Sequence, residues 1–212
     1  MNFFISATDT DVGKSYVASR LANEFCKMGL KTAYLKPFQS GIEKDILSDE
    51  NQVKNFAKNV ITKSSYITKT PCTPLISAQI DKIEFDINKI KKDYNELSNS
   101  SDITIVEGSG GLCVPVCKNI LMADIIKELN LPMLLIARPN LGTINHTLLS
   151  INYAQSKGIK ILGIVLSNYP KETNDPAILK AKEMIEAFCN TKVIAIIYQN
   201  QNDLSELAKA LI

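Results

Sequence analysis

Six short apolar runs constrain this chain most: FFISA (3–7), KTAYLKP (31–37), ITIVEG (103–108), MLLIA (133–137), KILGIVL (160–166) and KVIAII (192–197). Most lack strict polar alternation, which suits strands covered on both faces. Helical spacing falls between them. Val17, Leu21 and Phe25 recur at i, i+4 and i+8 beside Ala18 and Ala22, with Gly29 placed to end that helix. Ile87, Ile90, Tyr94 and Leu97 keep the same period. Ile120 to Leu129 and Ile144 to Gln155 read as further helices. Asp175-Pro176 reads as an N-cap with proline at N1 before a helix from Ala177 to Phe188. Asp203 and Glu206 form an aspartate variant of the capping box ahead of Leu207 and Leu211. Strands alternating with helices predict an α/β fold of residues 1–212: one domain with a mostly parallel open sheet and helices on both faces. Ligands then collect beyond the C-terminal strand ends. The polar stretch from Gly41 to Lys69 reads as a loop or irregular excursion.

The composition excludes several functions. Twenty-four basic against 22 acidic residues leave a formal net charge of +2, too small a field to argue for nucleic acid. Arg20 and Arg138 are the only arginines, so the planar forks that grip phosphate backbones are scarce. No apolar run approaches the ~20 residues that span a bilayer. The five cysteines are scattered, Cys113 and Cys117 have no second pair nearby, and the chain shows no basic stretch followed by an apolar signal core. A reduced, cytoplasmic protein without a cysteine metal centre is expected.

The first strand runs into ATDTDVGKS (7–15). Its end matches a phosphate loop, G-x-x-x-x-G-K-[ST], but Thr8 stands where the first glycine belongs. Strand, loop and helix in succession give the motif its weight. Backbone N–H groups from Asp11 through Tyr16 and the helix N-terminus can bind phosphates around Val12 and Gly13, Lys14 can reach the transferable phosphoryl group, and the Ser15 hydroxyl can ligate Mg²⁺. Glu107 ends an apolar strand, where a carboxylate can hold Mg²⁺. Gly108, Gly110 and Gly111 follow it and allow a close backbone approach to a ligand. Lys36 ends another strand at the same edge, with Ser40 and Gly41 able to offer a hydroxyl and an N–H. Two lysines converging on one anion suit a reaction that builds oxyanion charge. No Asn-Lys-x-Asp guanine motif follows the late strand, which leaves Asn168 as either an adenine partner or a turn residue.

Taken together, TDTDVGKS (8–15), KPFQSG (36–41), VEGSGGLCVP (106–115) and NLGTINH (140–146) resemble the dethiobiotin synthetase family in order and spacing. The resemblance implies a P-loop NTPase-like fold and an ATP- and Mg²⁺-dependent ligase. Its substrates are 7,8-diaminononanoate and CO₂. A carbamate forms on one amine, ATP phosphorylates it, and the second amine closes the ureido ring with release of ADP and phosphate. It further implies that Thr10, Lys14 and Lys36 flank the carbamate and γ-phosphate with Ser40 nearby, and that Ser15, Asp49 and Glu107 attend Mg²⁺. Asp11 supports the same charge network. Gly142, Thr143 and Asn145 would bind the substrate carboxylate at a helix N-terminus, across the interface of a homodimer.

Three positions depart from the family pattern. Ala7 replaces a common glycine, the stretch 195–207 lacks a G-E-x-P segment near the base, and Asp45 competes with Asp49 for the metal. The alternative reading is a dimeric partitioning-type ATPase switch on a related fold. That class carries an extra lysine at the start of its phosphate loop, where this chain has Thr8-Asp9-Thr10-Asp11. An amide-forming relative with a glutamine-hydrolysing domain would need more chain and a cysteine–histidine pair.

Overall fold

A computed structural model describes residues 1–42 and 48–212. The elements, in chain order, are β1 (Asn2–Ala7), α1 (Lys14–Lys27), β2 (Thr32–Gln39), α2 (Asp49–Phe56), β3 (Ile61–Ile67), α3 (Pro74–Asp81), α4 (Ile87–Asn99), β4 (Ile103–Gly111), β5 (Pro115–Cys117), β6 (Ile120–Leu121), α5 (Met122–Glu128), β7 (Met133–Ala137), α6 (Thr143–Ser156), β8 (Ile161–Tyr169), α7 (Pro176–Leu179), α8 (Ala181–Phe188), β9 (Val193–Tyr198) and α9 (Ser205–Leu211). Among these described residues, seven strands form one sheet in the order β3-β2-β4-β1-β7-β8-β9, and every pairing in it is parallel. The expected α/β architecture holds. Strand β1 lies at the centre, with the chain first building to one side of it and later to the other. The loop after β1 therefore opens at the switch point, where such sheets bind ligands.

Strand residues alternate between two cores because side chains on a strand have period two. Phe3, Ile5, Tyr34, Ile103 and Ile105 pack with Val17, Leu21 and Phe25 of α1 on one face. Phe4, Leu35 and Val106 pack with Met122, Ile126 and Ile151 on the other.

Several local expectations are corrected. The stretch 41–69 contains α2 and β3, both of which read as polar because they bury so little. Val53 is the buried residue of α2 and Ser65 that of β3. Ser48 caps α2 by accepting the Asn51 N–H, while β3 is a sheet edge. The segment expected to form one helix from Ala177 to Phe188 divides at Lys180 into α7 and α8, although Asp175 does cap the first through the Ala177 N–H. Ile120 and Leu121 form β6, antiparallel to β5, so the helix there starts at Met122. At α9, Asp203 accepts the Ser205 N–H, but Glu206 pairs with Lys209 instead of completing a capping box.

Gly108 lies inside β4, where a Cβ would come within 2.8 Å of the Phe4 ring and 3.2 Å of Met122 Sδ. A side chain at this position has no room between the strand and helix layers, so Gly108 serves their packing. Gly108→Ala is expected to cost about 1–3 kcal/mol by overpacking, read as a lower urea midpoint at unchanged m-value. A midpoint equal to that of the parent chain contradicts this packing role.

Candidate active site

Parallel register sets the site. Tyr34 pairs with Ile105 and Leu35 with Val106 between β2 and β4, while Ile5 of β1 pairs with Glu107. Tyr34, Lys36 and Glu107 thus project from the same face as α1. Glu107 is 0% exposed, and an unpaired carboxylate there would cost several kcal/mol. It is fully engaged. Its Oε1 accepts Ser15 Oγ at 2.7 Å and Lys36 Nζ at 2.7 Å, and its Oε2 accepts the Tyr34 hydroxyl at 2.9 Å. Lys36 also donates to Gly108 O at 3.2 Å and pairs with Asp49 Oδ2 at 2.7 Å.

Asp49 reaches this cluster because α2 begins there, its N–H donating to the Gln39 side chain at 3.0 Å. Asp45, the competitor, lies outside the described residues. Burial alone would lower the Lys36 pKa, but the charges of Glu107 and Asp49 outweigh it and hold the ammonium above its ordinary value. The Asp49 carboxyl shifts down: burial pushes it up, and Lys36 more than reverses that. Burial, with Glu107 opposite, holds the Tyr34 phenol well above 10.

The phosphate loop closes the other wall. Left-handed backbone falls at Asp11 (φ 56°) and Gly13 (φ 101°), so neither Ala7 nor Thr8 occupies a conformation that calls for glycine. Ala7 is buried in the core, and the Thr8 N–H donates to Ile136 O at 2.9 Å. Gly13 suits its left-handed backbone, and a Cβ there would also stand 2.6 Å from Ser167 Oγ, which would have to turn away. Helix α1 starts at Lys14 without a side-chain cap or an acidic first turn, which leaves its N–H groups and positive dipole end to an anion. Arg138, at the end of β7, donates to Thr10 O at 2.9 Å and reaches Asp9 Oδ2 at 3.5 Å, tying down the loop.

A cleft of about 850 Å³ lies between these walls. Thr10, Asp11, Gly13, Lys14, Ser15, Tyr16, Lys36, Ser40, Asp49, Glu107 and Gly110 all line it. Val12 is buried in the core, so only its backbone can serve a ligand. Gly110 has φ 65°, and a Cβ there would meet Val114 at 2.7 Å. Asn168 (φ 58°) ends β8 and is exposed, outside the described lining of the cleft. Gly142 (φ 94°), Thr143 and Asn145 start α6, also outside that lining. Sequence reading missed Tyr34, Gln39 and Arg138; the signal for Tyr34 was its place two residues before Lys36 on the same strand.

The side chains of Ser15, Asp49 and Glu107 offer only oxygens at this point, the ligand type that Mg²⁺ prefers. That Lys36 sits between the two carboxylates shows that the point takes positive charge. The residues therefore fit a divalent cation held by Ser15, Asp49 and Glu107.

Fold and loop together define a phosphate-loop nucleotide-binding protein. The solved structures it resembles include a ParA family ATPase from Chlorobium tepidum TLS, with a TM-score of 0.60 at 11% identity over 98% of this chain and 89% of that one. The MinC:MinD cell division complex of Aquifex aeolicus gives 0.63 at 14% identity over 99% and 86%. At such identities the likeness shows the fold alone. A family model described as "AAA domain" matches residues 1–206. Sequence relatives are more specific. The ATP-dependent dethiobiotin synthetase of Methanococcus vannielii is 35% identical over 97% of this chain and 97% of its own length. That of Methanocaldococcus jannaschii is 35% identical over 98% and 99%, and that of Bacillus cereus (strain G9842) 36% over 92% and 82%. The chain belongs to the ATP-dependent dethiobiotin synthetase family.

Lys14 is 7% exposed. Burial, then the charge of Lys36, lowers its pKa from an ordinary 10.5 to about 8. Between those values the unfolded chain binds more protons at Lys14 than the folded one, so its contribution to stability rises with pH across that window. Anion binding runs the other way, because the ammonium is the binding form. Affinity for a fluorescent ATP analogue in EDTA is expected to fall about tenfold between about pH 7 and pH 9. Lys14→Arg, which does not titrate there, is expected to flatten the profile. A flat profile in the parent chain contradicts the assignment.

Proposed function

We propose that residues 1–212 act as one domain that makes dethiobiotin from 7,8-diaminononanoate and CO₂, with ATP going to ADP and phosphate. The observation that carries this reading is the cluster of Ser15, Lys36, Asp49 and Glu107 on the wall of a cleft that begins at the phosphate loop. A plain nucleotide switch has no need of a second buried lysine at that point. Lys14 and the α1 N-terminus take the phosphates. Thr10, Ser40 and Lys36 face the carbamate, whose oxyanion must approach the γ-phosphate despite like charge; lysines offset that repulsion where charge grows. Mg²⁺, held by Ser15, Asp49 and Glu107, would supply further charge neutralisation at the phosphates. No general-base histidine is required. The second amine reaches the activated carbonyl intramolecularly, so proximity supplies most of the acceleration.

Asn168 is the candidate partner for adenine. The substrate carboxylate is assigned to Gly142, Thr143 and Asn145, where α6 starts with an uncapped N-terminus. Their place outside the described cleft lining supports a site completed by a second copy. Leu141 (88% exposed) and Leu149 (61% exposed) give that region an apolar surface for a homodimer. Among the described residues no helix is long and apolar enough to cross a membrane, and a cytoplasmic location fits the thiols, none of which is paired among the described residues.

The test is ADP release measured with diamine, bicarbonate and Mg²⁺ each omitted in turn. Release should require the diamine and the metal, and ¹⁴C from bicarbonate should appear in a ring-closed product. Rapid hydrolysis without diamine and no labelled product with it would sink the proposal. Lys36→Ala should lower kcat by at least about a hundredfold, the scale of losing one preorganised charge in a transition state.

A further inference from the structure

The point where Ser15, Asp49 and Glu107 meet is filled by a side chain. The Lys36 ammonium stands 2.7 Å from Asp49 Oδ2 and 2.7 Å from Glu107 Oε1, and that same Glu107 oxygen accepts the Ser15 hydroxyl. These are the oxygens that the synthetase reading assigns to a divalent cation. Mg²⁺ takes oxygen ligands at about 2.0–2.1 Å, nearer than the ammonium stands. An ion bound to both carboxylates therefore claims the ammonium's own place. Lys36 is 3% exposed and Glu107 0%, so solvent and salt screen two cations there poorly.

We propose, on the basis of that metal assignment, that Lys36 and the divalent cation exchange at this site. The ammonium balances Asp49 and Glu107 and keeps the pocket in shape; the cation, on binding, displaces it into the cleft. The way is open. Lys36 itself lines the cleft alongside Thr10 and Ser40, its stem is flexible, and its remaining hydrogen bond, to Gly108 O, is long at 3.2 Å. Lys14 stands in contrast, since its ammonium donates to the Asp9 carbonyl at 3.3 Å. Exchange makes the second lysine available to a substrate oxyanion only when the metal is in place. One residue thereby serves first as a structural counter-ion and then as an anion ligand.

The experiment is Mn²⁺ binding to the full chain, followed by EPR without nucleotide or diamine. Lys36→Met is expected to bind Mn²⁺ about tenfold tighter than the parent chain, the scale of one close charge pair. Lys14→Met removes a cation from the same cleft, but one that donates to the Asp9 carbonyl instead of standing between the carboxylates, and is expected to tighten binding clearly less than K36M does. Equal tightening in the two variants overturns the proposal, as does unchanged or weaker binding in K36M. Because K36M leaves Glu107 without its counter-ion and can unfold, the parent chain supplies a second reading. In ¹⁵N-lysine-labelled protein, the slowly exchanging Lys36 ammonium signal is expected to disappear as Mg²⁺ is added. Its persistence at saturating Mg²⁺ overturns the proposal. Neither readout involves turnover, so failure here and failure of the synthetase reaction are separately visible.

Discussion

A carboxylate with no access to solvent stands in β4 on the wall of the cleft, and its neutralisation governs how the surrounding elements must meet. Glu107 receives Ser15 from α1, Tyr34 and Lys36 from β2, and, through Lys36, Asp49 from α2. A slip of one residue between β2 and β4 would turn Tyr34 and Lys36 to the opposite face, leaving a buried charge without partners. Register, helix placement and site chemistry are thus linked by one electrostatic requirement. Apolar residues of similar volume in place of a buried ion pair often make a protein more stable, so this cluster is weak evidence of stability by itself.

The phosphate loop illustrates a related point about backbone. Judged by its letters, the loop is missing a glycine at Thr8. The left-handed conformations fall three and five residues further on, at Asp11 and Gly13. Aspartate tolerates that region better than most residues because its short side chain can bond locally. Arg138, beyond β7, holds the Thr10 carbonyl, so the loop is tied down from a strand far along the chain. Ala7, buried at the end of β1, is simply part of the core.

The same architecture carries partitioning and cell-division ATPases at 11–14% identity, which is why the fold alone does not settle chemistry. What marks this chain is residue choice at the C-terminal edge: a loop of threonine and aspartate ahead of Gly13, and a second lysine on β2 facing a carboxylate on β4. These choices suit a reaction between two anions held side by side.

Much of this was legible in the sequence, because it rests on local chemistry. Apolar runs, helical periods and the strand–loop–helix setting of Gly13-Lys14-Ser15 depend on near neighbours along the chain, and six of the seven sheet strands follow from them. The edge strand β3 and helix α2 did not, since each buries a single residue and so carries no hydrophobic pattern. The packing demand at Gly108, set by Phe4 and Met122 against it, was not visible from its neighbours in the chain. Which lysine meets which carboxylate was equally out of reach: Lys36, Asp49 and Glu107 come from three elements, and the pairing of β2 with β4 together with the start of α2 beside Gln39 brings them within hydrogen-bonding distance. The sequence by itself determined which groups were available and at which strand ends; the tertiary structure decided their partners, because a buried charge is satisfied by whatever the fold places beside it and not by what stands next to it in the chain.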